Sequence, residues 1–359
     1  MLKPTLSVKE VEGYAVEALR ELLDEIPGIT VESLERETLR DREVDITASV
    51  EVSGQKYMLV CEVKQSGQPR FVRDAIHQLG DFAQCFAKPV TPVLIAPYLS
   101  NESRELCLQN KVSFLDFEGN ARLTFGTVFV DRVRANKPAP ERREFRSLFK
   151  PKSAQVLRVL LRRPEQSWKV IDLAEAAGVS LGHASNVRKS LLDREWAELG
   201  TEGLRLKAPG ALLDAWKSVY VPPVAEEFRF YTTFHGSVLE SHVRELFESV
   251  PNSIQVTLAS FSAADWIAPY ARTGTLFLWS EKTGLQYIRE KLRLSSSAKG
   301  ENVIVSIPKD DGVFFDAYEA ERGIRCTSAL QTYLDLSKTG ERGVEAAEQL
   351  RRVRLTWQN

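Results

Sequence analysis

The stretch from Asp45 to Lys64, DITASVEVSGQKYMLVCEVK, holds the residues best spaced for chemistry. It reads as two strands joined at Ser53-Gly54. In the first arm Val44, Ile46, Ala48, Val50 and Val52 alternate with Asp45, Thr47, Ser49 and Glu51, the period of a strand with one buried face. If Ser53 and Gly54 form a two-residue loop, Val52 faces Gln55, and counting back by pairs sets Asp45 opposite Glu62, with Cβ atoms about 5 Å apart. Lys64 then projects from the same face as Glu62, one pleat further on. Two carboxylates that close repel unless a cation or a proton sits between them. Hard oxygen ligands, few in number and leaving room for waters and a phosphate, suit Mg²⁺, with Mn²⁺ as its substitute. The bland alternative is an edge hairpin whose polar residues face water, because a Glu-x-Lys triplet alone is common.

With Asp45 ahead of Glu62-Val63-Lys64 in the second arm of a hairpin, the stretch resembles the PD-(D/E)xK nuclease superfamily, which includes restriction enzymes and archaeal Holliday-junction resolvases. The resemblance implies that Asp45 and Glu62 hold the metal together with the main-chain carbonyl of Val63. It also implies that Lys64 orients or activates the attacking water and offsets charge on the phosphorane. Such enzymes often carry a further acid on the first helix, which makes Glu17, or Glu10, a candidate outer metal contact. A polar residue often follows on the next helix, which makes Gln78 a candidate accessory. For both acids a solvated helix face is the alternative, and His77 reads as a surface or partly buried histidine.

Elements that would position these residues are legible on either side. Residues 8–25 place Val11, Tyr14, Ala15, Ala18, Leu19 and Leu22 on one helical face. Pro27-Gly28 ends that helix, and a short strand over Ile29–Leu34 leads into the hairpin. A polar turn, Gln65–Pro69, precedes a helix over 70–86 with Val72, Ile76, Leu79 and Phe82 or Ala83 inward. Pro92–Ala96 (PVLIA) reads as a strand buried on both faces, followed by a helix over 100–111 and a strand over 112–117. Helices and strands alternating around a hairpin predict an α/β, restriction-endonuclease-like domain over residues 1–135.

At 359 residues the chain has room for two or three domains with real cores. No run is long enough to cross a bilayer and MLKPTLSVKEVEGY has no signal-peptide core, so a cytoplasmic location without membrane contact is expected. Cys61, Cys85, Cys107 and Cys326 are far apart and set mostly among apolar neighbours, which argues for reduced thiols and against structural zinc. A net charge of −1 gives no global push toward nucleic acid, so any such surface is local. Eight Lys and Arg against Glu141 and Glu144 lie between Arg132 and Lys152, among them Arg142 and Arg143. With Pro138, Pro140 and Pro151 interspersed, residues 136–152 read as a basic linker, either nucleic-acid-binding or merely solvated.

From Ser153 the pattern turns helical. Ala154–Arg162 carries Val156, Leu157, Leu160 and Leu161 inward, Val170–Ala177 forms a second helix broken at Gly178-Val179-Ser180, and Ser180 N-caps a third. Ala184, Val187, Leu191 and Leu192 are its inward residues, and Ala197–Leu206 forms a short hairpin. A helix, a turn holding Gly, a second helix and a hairpin match the helix-turn-helix pattern, and the spacing from Ala174 to Ser180 resembles winged-helix transcription factors, over residues 153–222. Ser180, His183, Ser185, Asn186, Arg188, Lys189 and Arg194 are the non-core residues of the third helix. Asn and Arg suit base edges of double-stranded DNA, while Ser, Lys and His suit phosphates. Winged helices also serve as protein-interaction or dimer modules, which keeps a homodimer open.

Pro222-Pro223 marks the last boundary, and residues 223–359 read as an α/β or α+β domain. Its histidines, His235 and His242, lack metal-site spacing. Gly312-Val313-Phe314-Phe315, Cys326-Thr327-Ser328-Ala329-Leu330-Gln331-Thr332-Tyr333-Leu334-Asp335-Leu336 and Gly340-Glu341-Arg342-Gly343 resemble the C-terminal domain of AbiEi-type antitoxins. These are transcriptional regulators of type IV toxin–antitoxin systems, active in abortive infection against phage, and their cognate toxin is a nucleotidyltransferase. The resemblance covers residues 151–359. Three readings follow: an AbiEi-like DNA-binding regulator with a nuclease-like domain, an active Mg²⁺-dependent endonuclease of phage defence targeted by the winged helix, and a scaffold for a nucleotidyltransferase partner. A full nuclease-like domain in front departs from the short winged helix at the N-terminus of such antitoxins.

Overall fold

In the computed structural model, residues 7–36, 44–84, 86, 89–134, 137–270, 273–296 and 300–357 are described. Contacts divide the chain into two compact units, Met1–Phe145 with Lys189–Ala197, and Arg146–Arg188 with Glu198–Asn359. Both combine helices with strands, as the α/β reading expects.

The first unit begins with α1 (Val8–Asp24), closed at its start by Ser7, whose side chain accepts from the Glu10 amide while Glu10 reaches back to the Ser7 backbone. Three antiparallel strands follow, β1 (Ile29–Arg36), β2 (Ile46–Val52) and β3 (Gln55–Val63). Ser53 and Gly54 turn the chain with φ of 52° and 78°, the left-handed pair that a two-residue hairpin loop of matching twist demands. That turn pairs Val52 with Gln55 and Ile46 with Cys61. After α2 (Pro69–Ala83) comes β4 (Thr91–Ala96), parallel to β3, then α3 (Asn101–Gln109) and β5 (Ser113–Asp116), parallel to β4. Two further antiparallel strands, β6 (Ala121–Phe125) and β7 (Val128–Arg132), complete a seven-stranded sheet in the order β1 to β7. The polar turn after β5 is closed by buried Asp116, which accepts from the amides of Leu99, Glu118 and Asn120.

The centre of the sheet is buried on both sides, whereas the edge strands β1 and β7 are largely open. Cys61, Val93 and Ile95 pack with Ala15, Leu19 and Leu23 of α1, whereas Val60, Leu94 and Ala96 pack with Val72, Ala75 and Leu79 of α2 and with Leu106 of α3. This explains why Val60–Cys61 and the PVLIA run lack polar alternation. The basic stretch contains a helix, α4 (Ala139–Ser147). Pro140 stands in its first turn, where no backbone hydrogen bond is lost.

The second unit opens on α5 (Pro151–Arg162), α6 (Val170–Ala176) and the larger part of α7 (Leu181–Asp193), whose end from Lys189 belongs to the first unit. Gly178, at φ 63°, makes the turn between the last two. The hairpin β8 (Ala197–Gly200) and β9 (Gly203–Leu206) follows, then α8 (Pro209–Val219). The rest is built on a six-stranded mixed sheet. Its strands are β10 (Val224–Phe230), β11 (Val256–Leu258), β12 (Leu276–Ser280), β13 (Val303–Pro308), β14 (Tyr318–Glu321) and β15 (Ile324–Cys326), in the order β10-β13-β12-β11-β15-β14. Helices α9 (Gly236–Ser249), α10 (Ser260–Ile267), α11 (Gly284–Lys291), α12 (Ala329–Leu336) and α13 (Gly340–Arg354) complete it. Every residue of α12 from Leu330 to Leu336 is buried, so it is a core helix with no solvent face. Among the described residues no helix is long and apolar enough to cross a membrane. Cys61, Cys107 and Cys326 are buried free thiols, and Cys85 lies outside the described residues.

One polar network is sealed inside this unit. Asp335 of α12 accepts from the Tyr220 hydroxyl at 2.6 Å, from Trp279 Nε1 at 2.9 Å and from Gln331 Nε2 at 2.8 Å. Burial outweighs these donors and pushes its carboxyl up to about 6. Because the folded value lies above the unfolded one, Asp335 favours the fold most at low pH, and that contribution is lost as pH rises through about 6. Between about pH 5 and pH 7.5, urea unfolding should therefore show wild type losing on the order of 1 kcal/mol relative to Asp335→Asn. Parallel pH profiles of the two proteins would rule this out.

Candidate functional site

The hairpin register does most of the positioning. One step beyond the Ile46–Cys61 pair brings Asp45 level with Glu62, and the Asp45 carboxylate reaches across to accept from the Val63 amide at 2.6 Å. Glu62 is 7% exposed, a depth at which an ionised carboxylate needs a cation or strong donors. Lys64 supplies one, its Nζ lying 2.7 Å from Glu62 Oε1. The same Nζ donates to Gln78 Oε1 at 2.5 Å. Lys64 is fixed in turn by its own backbone, whose amide donates to the Ile95 carbonyl at 2.9 Å. Glu62, Lys64 and Gln78 thus gather at the C-terminal end of β3, on the face covered by α2, and Asp45 joins them through the Val63 backbone between Glu62 and Lys64.

The other residues singled out for this site fall elsewhere. Glu17 is exposed on α1, whose buried side packs on the Cys61 and Ile95 face of the sheet, opposite the face shared by Glu62 and Lys64. Glu10 spends its carboxylate on the Ser7 backbone and hydroxyl. His77 is exposed on α2. Among the described residues no group of three or more His, Cys, Asp and Glu side chains converges. A metal at Asp45 and Glu62 would therefore complete its shell with main-chain and water oxygens. Two hard carboxylates beside a lysine fit a divalent ion that keeps several waters.

In the helical segment, Ser180 N-caps α7, its hydroxyl accepting from the His183 amide at 3.3 Å. His183 Nε2 lies 3.1 Å from the Ser153 hydroxyl, so that ring is tied to α5. Asn186 and Lys189 are exposed, while Ser185 and Arg188 are half-buried. Ala184, Val187 and Leu191 form the buried side, as their spacing expects. Arg194 departs from expectation. It is 4% exposed, donates to the Ser190 carbonyl and to Glu144 and lies 5.9 Å from the Trp196 ring centroid, so it packs instead of facing a groove. Arg142 and Arg143 are exposed on α4. His242 stacks on Phe234, with ring centroids 3.9 Å apart, which is a packing role.

The segment that carries the second sheet decides one comparison. Residues 205–355 match the AbiEi antitoxin family of type IV toxin–antitoxin transcriptional regulators. The AbiEi match starts in β9 and runs through α13, so it takes in the sheet and the Asp335 network and leaves α5 to α7 ahead of it. Among solved structures, a repair endonuclease from Pyrococcus abyssi shares 17% identity over 33% of this chain and 50% of its own, with a TM-score of 0.24. EndoMS in its apo form shares 16% identity over 28% of this chain and 44% of its own, with a TM-score of 0.22. The chain thus spans half or less of the length of each. No curated protein matches.

Sequence reasoning missed the polar network around Asp335 and Arg158, because its members are far apart along the chain. Arg158 and Gln331, for example, are 173 positions apart. The Asp45 contact is directly testable. Truncating Asp45 to Ala leaves the Val63 amide without that acceptor and should lower stability by about 1–2 kcal/mol in denaturant titrations.

Proposed function

We propose that the protein is a DNA-binding regulator built on the AbiEi plan, reading double-stranded DNA with the exposed side of α7. The observation that carries this reading is the order of elements. A helix, a Gly-containing turn and a second helix are followed by a hairpin in whose second strand the segment that matches the AbiEi regulators begins. In this winged-helix reading α7 enters the major groove, Asn186 addresses a base edge, and Ser180 and Lys189 hold phosphates. A nucleotidyltransferase toxin is the partner that the AbiEi plan calls for. Replacing Asn186 and Lys189 together by Ala should weaken duplex binding at least tenfold and lower the slope of log affinity against log salt by about 1. Unchanged affinity and slope in fluorescence anisotropy would move the DNA surface off α7.

A second reading is favoured by one specific observation, the grip on Lys64. A lysine held by both Glu62 and Gln78 beside a carboxylate pair is an arrangement that binding alone does not require. In this reading the first unit is a Mg²⁺- or Mn²⁺-dependent endonuclease. Asp45 and Glu62 would hold the ion, which when bound offsets charge on the scissile phosphate and lowers the pKa of a water. The chain's own residues do the rest. The Val63 amide fixes the Asp45 carboxylate, and Gln78 and Glu62 aim the Lys64 ammonium. That ammonium then lies beside the phosphate, where negative charge grows during attack, and needs no reorganisation to meet it. Supercoiled plasmid incubated with Mn²⁺ should be nicked by wild type and at least a hundredfold more slowly by Lys64→Ala. An inactive wild type, or equal rates, would remove this reading and leave the regulator.

A further inference from the structure

The second unit contains a cavity of about 710 Å³ that neither reading uses. Its size is that of a small-molecule site. Four cationic side chains, Arg146, Lys150, Arg158 and Lys338, line it against a single acid, Asp310. Asp310 already accepts from the Gly312 amide at 3.0 Å. Arg146, Lys150 and Lys338 are exposed at the rim, whereas Arg158 is only 5% exposed.

Arg158 is the unusual member. Its Nη2 donates to Gln331 Oε1 at 2.6 Å, but Nε and Nη1 find no hydrogen-bond partner among the described residues. An arginine cannot shed its charge; this guanidinium lies 5.3 Å from the Trp216 ring centroid, which offsets part of the cost of its two orphaned donors and leaves its positive charge facing no carboxylate among the described residues. Between Arg158 and Asp335 stands the neutral Gln331, which donates to Asp335 and to the Tyr220 hydroxyl at 2.8 Å each. Those bonds fix which end of the amide faces Arg158, so the network orients the guanidinium without neutralising it. The start of α5 adds to the field. Lys150, its N-cap, and Pro151, its first residue, line the cavity, where the positive end of a helix dipole favours an anion. The wall is aromatic as well, with Phe149 and Trp216 rings 5.9 Å apart and tilted by 30°.

We propose that this cavity binds a nucleoside phosphate, with the phosphate held by the rim cations Arg146, Lys150 and Lys338 in the field of the buried Arg158 guanidinium, and the base against half-buried Phe149. Several cations converging on one cavity with a single acid suit a phosphate. The volume exceeds the needs of an inorganic ion, and the aromatic wall suits a planar base. The site is independent of the chemistry at Lys64 and gives the regulator a place for a small effector.

Calorimetric titration of the full chain with nucleoside 5′-monophosphates, the unphosphorylated nucleosides, inorganic phosphate and a short oligonucleotide tests this directly. Saturable binding of one monophosphate per chain is expected, with the nucleoside and inorganic phosphate each at least tenfold weaker. Lys150→Glu and Lys338→Glu, exposed at the rim, should each weaken it about tenfold without changing the melting temperature, and Arg158→Met should abolish it. The rim variants keep the test decisive even where Arg158→Met fails to fold. Absence of saturable monophosphate binding, wild-type affinity in both rim variants, or binding by the oligonucleotide alone would overturn the proposal.

Discussion

The first unit depends on the turn at Ser53 and Gly54. A two-residue loop with both residues left-handed has only one way to join twisted antiparallel strands, and every pairing between β2 and β3 follows from it. Because side chains alternate faces, the turn also decides what each residue meets. Val60 and Glu62 share the α2 side, and Cys61 and Val63 the α1 side. The acid and the lysine meet because they are two apart on one strand, and Gln78 meets them because α2 covers that face. Local geometry, burial and charge agree on one arrangement.

Much of this was legible in advance. The alternation of the first arm, the Ser-Gly turn and the unbroken apolar runs at Val60–Cys61 and PVLIA are short-range signals, and they give the hairpin, its register and the doubly buried strands. The helical spacing of Val156, Leu157, Leu160 and Leu161, and of Ala184, Val187 and Leu191, likewise marks residues that are buried. The rest depends on partners far along the chain. Arg194 looks like a groove-facing cation until Trp196 and Glu144 are seen to enclose it. The run from Leu330 to Leu336 gives no sign of a face because all of it is buried. A helix in the Pro-bearing basic stretch is legible only once Pro140 is placed in a first turn.

The two units treat buried charge in different ways. At Glu62 a lysine answers the carboxylate directly, within a cluster that reaches the surface through Gln78. Around Asp335 three neutral donors surround a carboxylate in the core, and the nearest guanidinium is kept one amide away. The first arrangement offers polar groups to a substrate, whereas the second holds a cation ready and leaves its charge unspent. Both conform to the rule that buried polar atoms need partners, and the departure from it at Arg158 is what marks the cavity.

The turn at Ser53 and Gly54 also works as a parity device. Inserting one residue into β2 or β3 would exchange the faces of every residue beyond it, moving Asp45 or Glu62 to the side that packs under α1. Inserting two into one strand would restore the faces but slide Asp45 two pairs away from Glu62, and inserting one into each would keep the pair and turn both residues to the other face. Only two added to each arm would leave both the pair and its face as they are. The equal count of residues from the turn back to Asp45 and on to Glu62 is thus as much a part of the site as the side chains themselves.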